Sequence, residues 1–133
     1  MKKGFVANIE ALTLKNGSYR KVLYTGKYSQ LVLMSIKPGD EIGEEVHDDV
    51  DQFFRFEQGH GSVVIDGEKH RVRDGSGVVV PSGARHNVIN TSKNEYLKLY
   101  TIYSPPEHQD GIVRRTKKVA EASEEHFDGK TTE

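Results

Sequence analysis

Four residues in two segments of the chain have side chains suited to binding a metal ion. Glu45 and His47 lie two residues apart, so in an extended segment their side chains leave the same face of a sheet. Gln52 opens the next apolar run, and His86 begins another run after a turn. Imidazole nitrogens and carboxylate oxygens are common ligands of divalent metals. The pattern therefore predicts a metal site at Glu45, His47, Gln52 and His86.

The remaining histidines have less favourable settings. His60 lies between two glycines at a turn, His70 alternates with polar residues in a hairpin, and His126 is in the charged C-terminal segment. His108 follows a proline pair, where it could cover the mouth of a site or simply lie exposed in a loop. None of these four is predicted to bind the ion.

The spacing of the predicted ligands resembles the two sequence motifs of the cupin superfamily. The second motif is matched in full, at Gly75, Pro81, Gly83, His86 and Asn90. The resemblance runs from residue 39 to residue 90. It implies an all-β fold, the cupin double-stranded β-helix or jelly-roll barrel, with a divalent metal near its open end.

The first motif keeps its spacing, through Gly39, position 45, His47, position 52 and Gly59, but departs from the cupin pattern twice. Glu45 stands where the pattern has histidine, and Gln52 stands where it has glutamate. The formal ligand charge stays at −1, but one strong nitrogen donor is in effect replaced by the weak carbonyl oxygen of Gln52. The donor set suits Fe, Mn, Zn or Ni, so the identity of the ion stays open.

Each predicted ligand also has a purely structural interpretation. His47 and His86 could be hydrogen-bonded histidines in a barrel without a metal. Gln52 could orient His47 instead of binding the ion. Glu45 could be a solvated carboxylate in its acidic loop.

The elements that must position these residues are predicted to be short antiparallel strands, because apolar runs rich in Val, Ile, Tyr and Phe alternate with Gly, Pro, Asn and Asp. Asp66-Gly67 predicts a tight hairpin between two of them. We expect few helices. The predicted strands are 5–14, 19–24, 30–36, 52–57, 62–65, 69–72, 77–80, 86–89 and 96–103.

Strand parity predicts what surrounds the ion. If Gln52 points into the barrel, Phe54 and Phe56 do so as well. In the last strand, Lys98 on one face indicates that the opposite face, which carries Tyr103, points inward. We therefore expect a substrate pocket that contains Phe54, Phe56 and Tyr103.

The chain is predicted to form one barrel domain, residues 1–115, followed by a tail, residues 116–133. Its 133 residues suffice for one core. Pro105 and Pro106 end the last strand. Mostly charged or small residues follow position 116, so we expect a loosely ordered tail with at most a weak helical turn at 119–127.

Composition excludes several classes of partner. Lys and Arg number 19 against 20 Asp and Glu, so the net charge of −1 gives no field for nucleic acid or an anionic membrane. No apolar run has the length of a signal peptide or a membrane span. The absence of cysteine excludes disulfides and thiolate ligands. We expect a cytoplasmic protein with a small-molecule ligand.

The resemblance implies a fold more directly than an activity, because cupins include oxygenases, isomerases and binding proteins. We expect a metal-dependent enzyme that uses dioxygenase-like or Lewis-acid chemistry on a small metabolite. One alternative is a sugar-phosphate isomerase, for which no cationic phosphate cradle is evident. Another is a binding or sensor protein without catalysis. The resemblance also implies a homodimer that pairs through outer strands.

Overall fold

The computed structural model describes residues 1–133 and contains ten β-strands and two short helices. Neither helix has the length or apolarity needed to cross a membrane. The helices are α1 (Ile9–Lys15) and α2 (Lys117–Ala122). The strands are β1 (Arg20–Thr25), β2 (Gln30–Ile36), β3 (Glu45–Val46), β4 (Asp51–Gln58), β5 (His60–Ile65), β6 (Glu68–Arg73), β7 (Gly77–Val80), β8 (Arg85–Asn90), β9 (Leu97–Ser104) and β10 (Val113–Arg114).

The strands form two antiparallel sheets. The six-stranded sheet has the order β10-β1-β2-β9-β4-β7, and the four-stranded sheet has the order β3-β8-β5-β6. Consecutive strands such as β7 and β8 lie in different sheets, so the chain crosses repeatedly between the two layers. The predicted all-β jelly-roll barrel is confirmed.

Alternating strand residues build the core between the sheets. In β4, Gln52, Phe54 and Phe56 are buried, and in β9 the face that carries Thr101 and Tyr103 is buried. The parity predicted from the sequence is therefore correct for both strands. Because β4 pairs directly with β9, Gln52 lies opposite Tyr103.

The predicted first strand, 5–14, is wrong, because this segment contains helix α1. The Asn8 side chain accepts a hydrogen bond from the Ala11 backbone N–H at 3.0 Å, which caps the helix. Glu10 in the first turn and Lys15 in the last turn have the charges that a helix dipole favours. The other eight predicted strands are present, each within two residues of its predicted ends.

The Asp66-Gly67 turn joins β5 to β6 as predicted and also anchors β8. Both residues have positive φ angles, 46° and 83°. The Asp66 side chain accepts a hydrogen bond from the Arg85 N–H at 2.8 Å, and the Asp66 N–H donates to the Arg85 carbonyl at 2.7 Å. The hairpin therefore holds both backbone groups of the residue that precedes His86.

The C-terminal segment, whose composition predicted a loose attachment, runs back across the barrel. The Phe127 N–H donates to the Glu107 carbonyl at 2.8 Å, and the Thr132 N–H donates to the Thr25 carbonyl at 2.9 Å. The Glu125 side chain is only 6% exposed. These contacts bring tail carboxylates next to residues of the barrel.

Candidate metal centre

Three of the four predicted metal ligands converge. Strands β3 and β8 pair so that Glu45 lies directly opposite His86, and His47 follows two residues after Glu45. One ligand atom from each of Glu45, His47 and His86 lies within 4.8 Å of the other two. The centroids of the two imidazole rings are 5.5 Å apart. Strand pairing and the two-residue spacing together produce the cluster.

His86 has the orientation and protonation state that metal binding requires. Its Nδ1–H donates to the Ala84 carbonyl at 3.4 Å, which leaves the lone pair on Nε2. That Nε2 atom is buried without a hydrogen-bond partner. Burial lowers the pKa of His86, so the ring stays neutral at neutral pH. Only the neutral ring can bind a metal.

His47 lies between two carboxylates. Its Nε2 is 3.8 Å from Glu45 Oε2, and its Nδ1 is 3.8 Å from Glu107 Oε2. The Nε2 atom is buried and has no hydrogen-bond partner. Burial raises the pKa of the Glu107 carboxyl. Sequence reasoning did not single out Glu107, because it comes from the loop after the proline pair.

Gln52, the fourth predicted ligand, lies on β4 and has an amide oxygen as its donor atom. Its Nε2 donates to Thr101 Oγ1 at 3.0 Å, whereas its Oε1 is buried without a partner. A buried polar atom without a partner is costly, and three such atoms occur among the predicted ligands: His47 Nε2, Gln52 Oε1 and His86 Nε2. The Gln52 oxygen and His86 Nε2 offer lone pairs, and His47 Nε2 offers one when the ring proton is on Nδ1. This donor set fits a divalent cation.

The three residues predicted to form the substrate pocket are buried, and two of them contact the candidate histidine rings. Phe54 and Phe56 stack with centroids 6.3 Å apart, and the Phe54 ring meets His86 edge-on at 6.1 Å. Tyr103 meets His47 edge-on at 6.0 Å. None of the three lines the cavity beside the ligands. Strand parity correctly gave their inward direction, but it contained no information on depth.

The cavity beside the ligands has a volume of about 220 Å³, and six of its 14 lining residues are glutamates. Arg20 is the only arginine or lysine in its wall. Three of the glutamates come from the tail, for which the sequence composition predicted no functional role. The six glutamates of this wall, which we call the acidic cavity, are Glu44, Glu45, Glu107, Glu121, Glu124 and Glu125.

Hydrogen bonds link the tail to the neighbourhood of His47. The His108 Nδ1–H donates to Glu125 Oε1 at 3.1 Å, and the Tyr103 hydroxyl donates to His108 Nε2 at 3.3 Å. Glu125 also contacts Arg114 Nη2 at 3.3 Å and Arg20 Nη1 at 3.9 Å. Glu125 therefore fixes which nitrogen of His108 carries the proton.

His108 and Tyr103, two members of this hydrogen-bonded set, are uncharged at neutral pH. Burial, with the positive charge of Arg20 as the next cause, lowers the pKa of His108 to about 3. Burial also raises the pKa of Tyr103. Neutral His108 lines the acidic cavity close to the candidate ligands.

Comparison with known proteins gives the family. The family model described as "Cupin domain" matches residues 32–103. The uncharacterized protein YrkC of Bacillus subtilis (strain 168) is 48% identical over 129 residues, which cover 92% of this chain and 69% of that protein. The uncharacterized protein L612 of Acanthamoeba polyphaga mimivirus is 45% identical over 113 residues, covering 82% and 70%.

Solved structures agree with this relationship. The crystal structure of BH2720 from Bacillus halodurans superposes with a TM-score of 0.88 at 42% identity, covering 91% of this chain and 96% of that one. KdgF from Halomonas sp. superposes with a TM-score of 0.60 at 23% identity, covering 65% and 76%, which shows a common fold alone. Motifs, fold, family model and relatives therefore agree that the chain belongs to the cupin family.

Proposed function

We propose that this cupin binds a divalent metal ion through Glu45, His47 and His86, with Gln52 as a fourth ligand, and acts on a small metabolite. The observation that carries the proposal is the convergence of three ligand atoms within 4.8 Å. The unpartnered, buried His47 Nε2, Gln52 Oε1 and His86 Nε2 support it further.

A divalent ion at these residues would supply Lewis-acid polarisation of a substrate oxygen. Glu45 contributes the single negative charge of the ligand set, and the two histidines contribute neutral nitrogens. The cavity volume of about 220 Å³ is below the roughly 300–1,000 Å³ of drug-sized pockets, which favours a small substrate.

The neighbouring His108 is suited to hold the tail in place and not to transfer protons. Glu125 engages its Nδ1–H and the Tyr103 hydroxyl engages its Nε2, and its pKa of about 3 is far below the value that a general base needs at neutral pH. Tyr103 is buried, and its raised pKa disfavours proton release. We therefore assign no acid–base role to this hydrogen-bonded set.

The charge of the cavity argues against the sugar-phosphate alternative. Six glutamates face one arginine, Arg20, so a phosphate group would meet repulsion that a single bound ion offsets only in part. A neutral or cationic metabolite fits this environment better. The weak amide donor of Gln52 favours a second candidate, a protein that binds metal and metabolite without turnover.

Metal content tests the proposal. Protein purified without an affinity tag is analysed for metals and titrated with Co²⁺, in the parent and in the His47→Ala, His86→Ala and His70→Ala variants. His70 is an exposed histidine of β6 and serves as the matched control. We expect one bound equivalent in the parent and in the His70 variant, and little or none in the other two.

Equal metal content in all four proteins would contradict the proposal. Oxygen uptake after anaerobic loading with Fe²⁺ then separates the enzyme from the binding protein. Uptake that depends on His86 supports oxygenase chemistry, whereas metal binding without any turnover supports the second candidate.

A further inference from the structure

A second cavity, of about 510 Å³, adjoins the end of β2 and the start of α2. Its charge is opposite to that of the acidic cavity. Four cationic side chains line it, Lys37, Arg115, Lys117 and Lys118, against two carboxylates. We call it the basic cavity.

One lysine accounts for both carboxylates of the basic cavity. Lys117 Nζ lies 3.2 Å from Asp40 Oδ1 and 3.8 Å from Glu121 Oε1. Lys37, Arg115 and Lys118 form no ion pair in the structure. Three uncompensated cations therefore surround one concave surface of a protein whose net charge is −1.

A buried hydroxyl without a partner also lines this cavity. Ser35 is only 4% exposed, and its Oγ has no hydrogen-bond partner. The Ser35 backbone N–H already donates to the Tyr19 carbonyl at 3.3 Å, so the hydroxyl is the group left over. Exposed lysines alone are ordinary surface features, but an unsatisfied buried hydroxyl next to them calls for a ligand or an ordered water.

Tyr19 provides a further wall of the basic cavity. Burial raises the pKa of Tyr19 to about 12, so its phenol stays protonated and remains a hydrogen-bond donor at neutral pH. The cavity thus combines cations with hydroxyl donors. This combination recognises the oxygens of phosphate and carboxylate groups, because charge-assisted hydrogen bonds to them are the strong ones.

We propose that the basic cavity binds a small oxyanion, the phosphate or carboxylate group of a metabolite, through Arg115, Lys118 and Lys37 with a hydrogen bond from Ser35. The concave shape and the volume of about 510 Å³ match a small molecule. None of the four predicted metal ligands lines this site, although Tyr19 and Glu121 lie in the walls of both cavities.

The test is an NMR titration of the metal-free, ¹⁵N-labelled full chain at low ionic strength, with inorganic phosphate in one arm and succinate in the other. We expect saturable shifts at the backbone amides of residues 35–37 and 115–118. A preference for phosphate identifies a phosphorylated ligand, and a preference for succinate identifies a carboxylic acid. The affinity falls as NaCl is added, because the interaction is between exposed charges.

Two double variants with the same change in net charge separate specific binding from bulk attraction. Arg115→Gln with Lys118→Gln is expected to weaken the preferred anion about tenfold. Lys93→Gln with Lys130→Gln, two exposed lysines outside both cavities, is expected to leave the affinity within about twofold. Equal weakening in both pairs would overturn the proposal, and so would the absence of saturable shifts with either anion.

Ser35→Ala separates a ligand-binding hydroxyl from a structural one. Because this hydroxyl has no protein partner, its removal leaves the thermal unfolding midpoint unchanged or higher. We expect binding of the preferred anion to weaken about threefold to fivefold. Unchanged affinity would remove Ser35 from the site. Co²⁺ binding, measured in the same variants, stays at the parent value, so failure here is distinguishable from failure of the metal proposal.

Discussion

On the barrel side of the acidic cavity, Glu45 is held on a strand paired with that of the buried His86, whereas on the tail side Glu121, Glu124 and Glu125 come from a short helix and the segment after it. The barrel side presents unpartnered donor atoms. The tail side instead contains Glu125, whose carboxylate contacts three side chains. The same residue type therefore lies beside unpartnered donor atoms on one side and pairs with buried charges on the other.

This difference shows that a carboxylate in a cavity has no fixed role. Glu45 has one neighbour at 3.8 Å, His47, and its charge remains available to a cation. The charge of Glu125 is already used by Arg114, Arg20 and the His108 N–H. We therefore expect substitutions on the barrel side to change metal affinity and substitutions on the tail side to change stability.

The largest expected effect is on the barrel side. His86→Ala removes a buried nitrogen donor, so we expect Co²⁺ affinity to fall more than about 100-fold. Spectroscopic titration with Co²⁺ measures it, with His70→Ala as the control. A fall of less than threefold would mean that His86 is a structural histidine.

The next effect is on the tail side. Glu125→Ala leaves Arg114, Arg20 and His108 without their carboxylate, so we expect the free energy of unfolding to fall by about 2–4 kcal/mol. Glu124→Ala, an exposed neighbour in the same segment, is the matched control and is expected to stay within about 0.5 kcal/mol. Urea unfolding measures both. Equal free energies of unfolding for the Glu125→Ala and Glu124→Ala variants would show that the tail does not stay on the barrel in solution.

A smaller effect tests the weakest donor. If the Gln52 oxygen binds the ion, Gln52→Ala lowers metal affinity about tenfold, and Gln52→Glu restores or exceeds the parent value because it adds a charge. Isothermal titration calorimetry with Zn²⁺ measures the series. Parent-like affinity in the alanine variant would leave three protein ligands only.

The smallest effect concerns pH. The pKa of His108 is lowered to about 3 in the folded protein, from an unfolded value of about 6.5, so the unfolded state binds more protons below pH 6.5. The stabilising contribution of neutral His108 is fully present above pH 6.5 and is lost as the pH falls towards 3. Between pH 7 and pH 6 the loss from this group is about 0.7 kcal/mol. His108→Gln should reduce the difference in free energy of unfolding between pH 7 and pH 6 by that amount. Urea unfolding at the two pH values measures this difference, and an unchanged difference would contradict the assignment.

The features that could be predicted from sequence are those specified by local spacing. Glu45 and His47 share a face because they are two residues apart, and the hairpin at Asp66-Gly67 follows from residues that tolerate positive φ. The features that could not be predicted depend on long-range contacts. Glu125 reaches His108 only after the tail folds back, and no periodicity in the charged segment indicates that path. The capped helix α1 was predictable from Asn8 and Glu10, but its apolar residues were interpreted as a strand.

The Asp66-Gly67 turn gives the surface an unexpected influence on the candidate ligands. Because Asp66 holds both backbone groups of Arg85, movement of this exposed turn is transmitted to the adjacent His86. Hairpin tips are usually favourable places to insert epitopes or fluorescent reporters. In this cupin such an insertion would disturb the position of His86, so reporters are better attached at other loops.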